Sequence, residues 1–261
     1  MTEQDDIIRT AHELADAARQ VALHHFRKSD LSAENKARGH FDPVTVADRA
    51  AEDAMRDILS RRRPQDGILG EERGNLSGTS GLTWVLDPID GTRAFICGAP
   101  TWGVLIAVSN ENGPLYGLID QPHIGERFEG GFGISRVTGP HGIRPLATRA
   151  PRPLTDSFLS STFPEVGTEE EEEAFRRVAR QVRLTRYGMD CYAYALIAAG
   201  QIDLVIEAGL QPYDIHAPIA VIQAAGGIVT DWTGGPAIRG GRVVAAANAA
   251  VHSEALALLA I

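Results

Sequence analysis

Cysteine is nearly absent. The 261 residues contain two, Cys97 and Cys191. Two thiols cannot build a disulfide framework or a four-cysteine zinc site, and they read as reduced thiols of a cytosolic protein. Neither has a partner histidine visible in the sequence, and no Gly-x-Ser-x-Gly elbow marks a serine nucleophile. Long apolar runs are missing too: nothing approaches the ~20 apolar residues of a bilayer span. The start, Met1-Thr2-Glu3-Gln4-Asp5-Asp6, is acidic and leads into no apolar signal-peptide core. Basic residues are in deficit, with 25 Lys and Arg against 34 Asp and Glu and a net charge of −9. Non-specific nucleic-acid binding and anionic membrane surfaces both need a net positive face. The expectation is a cytoplasmic protein with no nucleic-acid partner and no membrane partner. No internal repeat is visible.

What is present is ordinary for a globular chain: 44% hydrophobic and 23% charged residues. That balance excludes disorder, a coiled coil and a collagen-like repeat. The length suits one large domain or two modest ones. Apolar residues at helical spacing predict helices over about Asp6–Phe26 and Ala47–Leu59. Asn35 to Asp42 reads as a loop. Short apolar runs separated by turn signals predict strands at Gly67–Gly70, Thr83–Leu86, Val104–Val108, Leu115–Ile119 and Arg127–Gly130. After Pro140 a Pro- and Arg-containing stretch suggests a boundary between subdomains, 1–145 and 146–261. Strands and helices alternate beyond it, with strands near Phe158–Ser161, Arg183, Asp203–Ile206, Gly227–Thr230 and Val243–Ala247. The predicted helices there open at Thr168 and span about Cys191–Ala199, Ile215–Ala224 and Ala250–Leu259. The class is α/β.

Two charge runs have structural readings. Arg61, Arg62 and Arg63 suit the negative end of a helix that Pro64 stops. The five glutamates Glu169–Glu173 suit a first helical turn, with Thr168 as N-cap and Glu171 completing a capping box.

The informative stretch is Trp84-Val85-Leu86-Asp87-Pro88-Ile89-Asp90-Gly91-Thr92. An apolar strand ends in one acid, turns at Pro88, presents a second, and leaves through Gly91-Thr92. Two such carboxylates can bridge hard divalent cations, which take oxygen ligands, and the turn frees the Ile89 carbonyl as another. A helix beginning there would aim unpaired N–H groups at a phosphate. A strand-to-helix turn with an aspartate N-cap explains the segment alone equally well. Other segments repeat the theme: Ile68-Leu69-Gly70-Glu71-Glu72, Pro212-Tyr213-Asp214, and Asp42-Pro43-Val44-Thr45-Val46-Ala47-Asp48 each place acids at the edge of an element.

With Glu207-Ala208-Gly209 and Ala225-Gly226-Gly227, these segments resemble the inositol monophosphatase superfamily of lithium-sensitive, magnesium-dependent phosphatases. They match in order and spacing from about residue 6 to 258. The resemblance implies an α-β-α-β-α five-layer sandwich and a homodimer. It implies that Glu71, Asp87 and the Ile89 carbonyl hold one metal and that Asp87, Asp90 and Asp214 hold a second. A third, weaker metal would sit on Glu71 and waters, with Asp48 in its outer shell. Mg²⁺ is the implied ion, two or three per site, with Mn²⁺ as a substitute and Li⁺ as an inhibitor. Asp90, Gly91 and Thr92 would bind phosphate. Asp48, Glu71 and Thr92 would be catalytic, Thr92 with Asp48 helping to deprotonate the attacking water. Glu207 would contact the organic part of the substrate. The chemistry is consistent: clustered carboxylates raise one another's pKa until cations relieve them, and phosphomonoester hydrolysis needs mainly positioning and neutralised charge.

For the substrate, Arg186-Tyr187-Gly188-Met189-Asp190-Cys191-Tyr192-Ala193-Tyr194-Ala195-Leu196, the stretch Ile206–Asp214, and Gly91-Thr92-Arg93-Ala94-Phe95-Ile96 with Pro100 are similar to the histidinol-phosphate phosphatase branch. Histidinol phosphate carries an ammonium and an imidazole, so acids at Asp190 and Glu207 suit it. Asp190 also suits a helix N-cap, and the two roles are compatible. Alternatives are inositol 1-phosphate or a broad set of small phosphates, and more distantly 3′-phosphoadenosine phosphates or fructose bisphosphate. A non-enzymatic metal-binding protein would be free to lose Glu71, Asp87, Asp90, Thr92 and Asp214, which are all present. Cys97 stands where that branch usually has a threonine or another polar residue, and His216 where an apolar residue is commoner. His216 reads as a core or helix-surface histidine. Arg93 fits either a phosphate contact or a solvent-facing position.

Overall fold

The computed structural model describes residues 2–29, 33–35 and 43–260. It opens with two helices, α1 (Glu3–His25) and α2 (Val46–Arg62). Each begins with a reciprocal cap, Thr2 with Asp5 and Thr45 with Asp48. Between them β1 (Ala33–Asn35) and β2 (Pro43–Thr45) form a two-stranded antiparallel ribbon. The sequence predicts a loop from Asn35 to Asp42. Asn35 instead closes β1, because Ala-Glu-Asn is too short and polar to show strand alternation. Residues 36–42, Asp42 among them, lie outside the described residues.

Eight strands form the first sheet: β3 (Gly67–Gly70), β4 (Gly74–Leu76), β5 (Thr83–Asp90), β6 (Gly103–Asn110), β7 (Gly113–Gln121), β8 (Glu126–Gly131), β9 (Ile134–Gly139) and β10 (Gly142–Pro145). Their order is β10-β9-β8-β7-β6-β5-β3-β4, antiparallel except for β3 beside β5. A short helix, α3 (Thr92–Cys97), follows β5. The second sheet takes β11 (Phe158–Ser161), β12 (Leu184–Tyr187), β13 (Leu204–Leu210), β14 (Ile228–Asp231) and β15 (Gly241–Ala246) in the order β12-β11-β13-β15-β14. Helices α4 (Glu169–Ala179), α5 (Asp190–Ala198), α6 (Pro212–Ala224) and α7 (Ala249–Leu259) complete the chain.

Strand alternation sorts side chains into layers. Along β6, Val104, Ile106 and Val108 join a core with Leu14 of α1 and Met55 of α2. Leu105 and Ala107 point the other way, into a core shared with α5, α6 and the inner face of the second sheet. On β13, Val205 joins that same inner core, while Leu204 and Ile206 pack outward with Phe175 of α4 and Leu259 of α7. Two helices, a sheet, two helices, a sheet and two helices make the five layers that the family resemblance implies.

The middle layer is tight. Helix α6 is buried on nearly every side, from Ile215 to Ile222. Gly117 and Gly130 lie beneath it, where an added Cβ would fall 2.6 Å from the Ala217 carbonyl oxygen or from the Val221 Cα. His216 is a core histidine: Nδ1 pairs with Ser109 Oγ at 2.8 Å and Nε2 with the Ile238 carbonyl at 2.7 Å. Both charge runs take the structural roles read from the sequence. Thr168 and Glu171 cap α4 reciprocally, and Arg62 and Arg63 tie the end of α2 to Asp6, Glu13 and Asp66. Among the described residues no helix is long and apolar enough to cross a membrane.

Helix α1 is joined to the first sheet by buried ion pairs as well as by apolar contact. Arg19 makes a two-pronged contact with Asp120, and the fully buried Glu129 accepts from Arg136 (2.7 Å) and Tyr116 (2.8 Å) and pairs with His12 (3.2 Å). Burial alone would raise the Glu129 carboxyl, but bonds from His12, Arg136 and Tyr116 hold it down to about 2, against an ordinary 4.5. A lowered carboxylate pKa contributes stability above the unfolded value that is lost as pH falls toward the folded one. Glu129→Gln should therefore cost about 3 kcal/mol at neutral pH, as for a broken buried pair. That deficit should shrink in denaturant titrations run at successively lower pH below about 4.5.

Candidate active site

The acids of β5 leave the ladder at a bulge. Asp87 pairs with Leu105, but the next aligned pair is Asp90 with Gly103, so β5 carries one residue more than β6 across that interval. Pro88 has no N–H to offer the ladder, and a bulge re-aims the side chains beside it. The Ile89 N–H donates to Asp87 Oδ1 at 3.0 Å. Strand β13 shifts register in the same way between Glu207 and Leu210, where Gly209 takes the left-handed conformation at φ 84°. Each bulged strand then hands the chain to a helix, β5 to α3 and β13 to α6. Asp214, third in α6, caps it through Oδ2, which accepts the Gln211 N–H at 2.6 Å.

These turns bring Asp87, Asp90 and Asp214 together, with one carboxylate oxygen of each within 4.8 Å of the others. Glu71 adjoins Asp87 at the end of β3. Burial, then the charges of Glu71, Asp90 and Asp214, drive the Asp87 carboxyl well above the usual carboxylate range. Burial and the charges of Asp190 and Asp214 do the same to Asp90. This all-oxygen, mutually repelling donor set fits a hard divalent cation, whose charge would replace the protons the acids otherwise keep.

Asp48 is fully buried and doubly committed. Its Oδ2 accepts the Thr45 N–H (2.9 Å) and hydroxyl (2.5 Å), while Oδ1 lies 3.2 Å from the Thr92 hydroxyl. The Thr92 hydroxyl is also 3.2 Å from the Ile89 carbonyl, so its single proton goes to one acceptor at a time. The cap of α2 thus fixes the acid that faces Thr92. Gly91 precedes α3 at φ 83°, and an added Cβ there would lie 2.7 Å from Asp190 Cγ. Position 91 excludes a side chain on both counts.

A cavity of about 310 Å³ opens beside the acids, lined by Asp90, Gly91, Thr92, Asp190, Glu207 and Asp214 among others. Asp190 is not the helix cap that its position suggested. The cap position is Met189, Asp190 itself holds φ 47°, and its carboxylate accepts the Thr101 hydroxyl at 2.7 Å. The first N–H of α5 that meets a side chain, that of Cys191, donates instead to Asp90 Oδ2 at 2.7 Å. Burial raises the Asp190 carboxyl despite the Thr101 bond. Glu207 receives both the N–H (3.0 Å) and the hydroxyl (2.6 Å) of Thr162 on Oε1, yet burial still pushes it up to about 7. Burial also lifts the Cys191 thiol far above its ordinary range, the opposite of an activated nucleophile. Arg93 is exposed at the rim and stacks its guanidinium 4.7 Å over the Phe163 ring.

Several supporting residues escape a reading of motifs. Glu52 is fully buried on α2 and accepts the backbone N–H groups of Glu72 (2.7 Å) and Arg73 (3.1 Å), so it shapes the turn that presents Glu71. Gly70 leaves room for it, since a Cβ there would sit 2.2 Å from Glu52 Oε1. Thr101, Thr162 and Tyr194 belong to the same group. The signal for Glu52 was an acid at a buried helix position, and Tyr194 lay within the Arg186–Leu196 resemblance; for Thr101 and Thr162 the sequence held none.

The sequence of residues 3–260 matches the model of the inositol monophosphatase family. The chain is 41% identical over 266 residues to the chloroplastic bifunctional phosphatase IMPL2 of Arabidopsis thaliana, covering 98% of this chain and 75% of that one. It is 36% identical to the histidinol-phosphatase of Streptomyces coelicolor, over 99% and 98% of the two chains. It superimposes on an inositol monophosphatase from Zymomonas mobilis with a TM-score of 0.87 at 39% identity, over 99% of each chain. The chain is a phosphoric monoester hydrolase. It belongs to the inositol monophosphatase family, whose members are metal-dependent.

A cation that binds the folded protein alone stabilises it by about 2.7 kcal/mol at a hundred times its Kd, a rise in Tm of about 5–10 °C for a chain of this size. Asp87→Asn should abolish that increment. It should also raise the Tm of the metal-free protein, because it removes one member of a repelling set. Calorimetry of both proteins with a divalent cation and with EDTA checks both signs.

Proposed function

We propose that the chain hydrolyses L-histidinol phosphate to L-histidinol and phosphate, using Mg²⁺ held by Glu71, Asp87, the Ile89 carbonyl, Asp90 and Asp214. The observation that carries the substrate is the second acid pair lining the cavity, the buried Glu207 and the half-buried Asp190, beside Gly91 and Thr92. An ester whose leaving group is cationic restores charge balance to such a pocket, and a neutral polyol does not. The similarity to histidinol-phosphatases supports the same choice. Inositol 1-phosphate is the second reading, supported by the Zymomonas mobilis structure.

In this reading the N–H groups of Gly91 and Thr92 and the segment from Asp90 orient the phosphate. The Thr92 hydroxyl directs its proton to Asp48 Oδ1 and offers a lone pair to the attacking water, whose proton passes toward Asp48. Glu71 orients the same water from the other side. Cations bound at the site supply Lewis acidity to the phosphoryl oxygens and counter-charge to the carboxylates. Asp190 and Glu207 hold the organic group so that the ester oxygen leaves in line. No covalent nucleophile is required. A homodimer belongs to the same proposal.

Phosphate release from histidinol phosphate and inositol 1-phosphate, measured in parallel with Mg²⁺ and with EDTA, tests it. Faster turnover of histidinol phosphate, lost in EDTA, is expected. Faster turnover of the inositol ester overturns the substrate. A second measurement concerns Glu207, whose raised pKa makes it an anion only above about 7. Relative to inositol 1-phosphate, kcat/KM for histidinol phosphate should rise as pH increases through 7. Glu207→Gln should remove that rise and lower kcat/KM about 10- to 100-fold, the loss of one charge-assisted hydrogen bond.

A further inference from the structure

Helix α5 carries Tyr194 one turn beyond Asp190, and both side chains line the cavity. Tyr194 is 3% exposed; its hydroxyl faces the Glu207 carboxylate, but the contact falls short of a well-formed hydrogen bond and no other described residue pairs with it. Polar atoms buried that deeply are normally satisfied. Phenylalanine would fill the same space without the deficit, so packing does not account for the hydroxyl. Its surroundings are acidic. Burial, then the charges of the adjoining Glu207 and of Asp90 and Asp214, keep the phenol protonated. A neutral phenol has one proton to give and lone pairs to accept with. Both Thr162 bonds to Glu207 fall on Oε1, which leaves Oε2 to the phenol or to a ligand.

We infer that Tyr194 is a substrate-contacting specificity residue: its hydroxyl donates to Glu207 and accepts a hydrogen bond from an N–H of the protonated amine on the leaving group. Donor counting sets the direction. An ammonium has donors and no acceptor, so the phenol must receive from it and must pass its own proton to a carboxylate. Glu207 is the carboxylate beside it. One charged and one neutral oxygen then face the amine, and the orphaned hydroxyl is satisfied on both sides. The inference rests on the amine-bearing ester proposed above.

The test compares the full-length wild type with Tyr194→Phe, which removes one oxygen. Histidinol phosphate, inositol 1-phosphate and p-nitrophenyl phosphate are assayed with Mg²⁺. The nitrophenyl leaving group has no N–H or O–H to donate. The ratio of kcat/KM for histidinol phosphate to that for p-nitrophenyl phosphate should fall about tenfold, the scale of one hydrogen bond, with the change mainly in KM. Tm should change little, because the hydroxyl makes no well-formed hydrogen bond in the free protein. An unchanged ratio overturns the inference, and so does an equal loss on both esters accompanied by a lower Tm. If the wild type turns over inositol 1-phosphate faster than histidinol phosphate, the proposed substrate falls, while the ratio in the variant still decides the role of Tyr194.

Discussion

Like charges crowded into a space that excludes water are the constraint around which this molecule is arranged. Three carboxylates have oxygens within 4.8 Å of one another and a fourth lies against Asp87, and this crowding with burial holds Asp87 and Asp90 well above the ordinary carboxylate range. A chain left to minimise its own energy would separate them. Here two bulged strands and a capped helix hold them together. Asp48, Glu52 and Asp214 each spend carboxylate oxygens on backbone N–H groups, fixing the turns from which the site is built. The unfavourable electrostatics stay local, and the apolar cores absorb their cost.

Much of this was legible in the sequence because the clustered acids sit at the ends of apolar runs. Glu71 follows an apolar strand, Asp87 and Asp90 stand in the last stretch of another, and β3 and β11 fall where the pattern puts them. Strands β1, β4 and β10 were not legible: they are short and polar or exposed, and pairing with a neighbour defines them rather than burial. Asp190 shows the limit at the site. Its place before a helix suggested a cap, but what its carboxylate does depends on Thr101, 89 residues away in the chain, and on the missing side chain of Gly91. Thr162 carried no pattern, since a threonine after a strand is commonplace, and Tyr194 stood inside the Arg186–Leu196 resemblance with no role attached to it. Their meaning comes from what the fold places opposite them.

Small residues set the spacing of the layers. Gly117 and Gly130 let α6 lie against the first sheet at backbone contact, and Gly91 lets α3 meet the start of α5. Each close approach brings a functional segment nearer the acids than a side chain would allow. The same economy explains why α6 is apolar nearly all round and why its one histidine is bonded at both nitrogens.

Helix α6 starts at the site and runs between the two sheets, so Asp214 travels with the middle layer while Asp87 and Asp90 travel with the first sheet. The distance between these acids is therefore a gauge of how the layers seat against each other. A cation shared among them would work as a rivet through the stack, and the stack would in turn act as a vice on the cation. A methyl group lost from the inner core, far from any ligand, loosens the grip as surely as damage at the site. Affinity for such an ion would be a mechanical property of the whole sandwich.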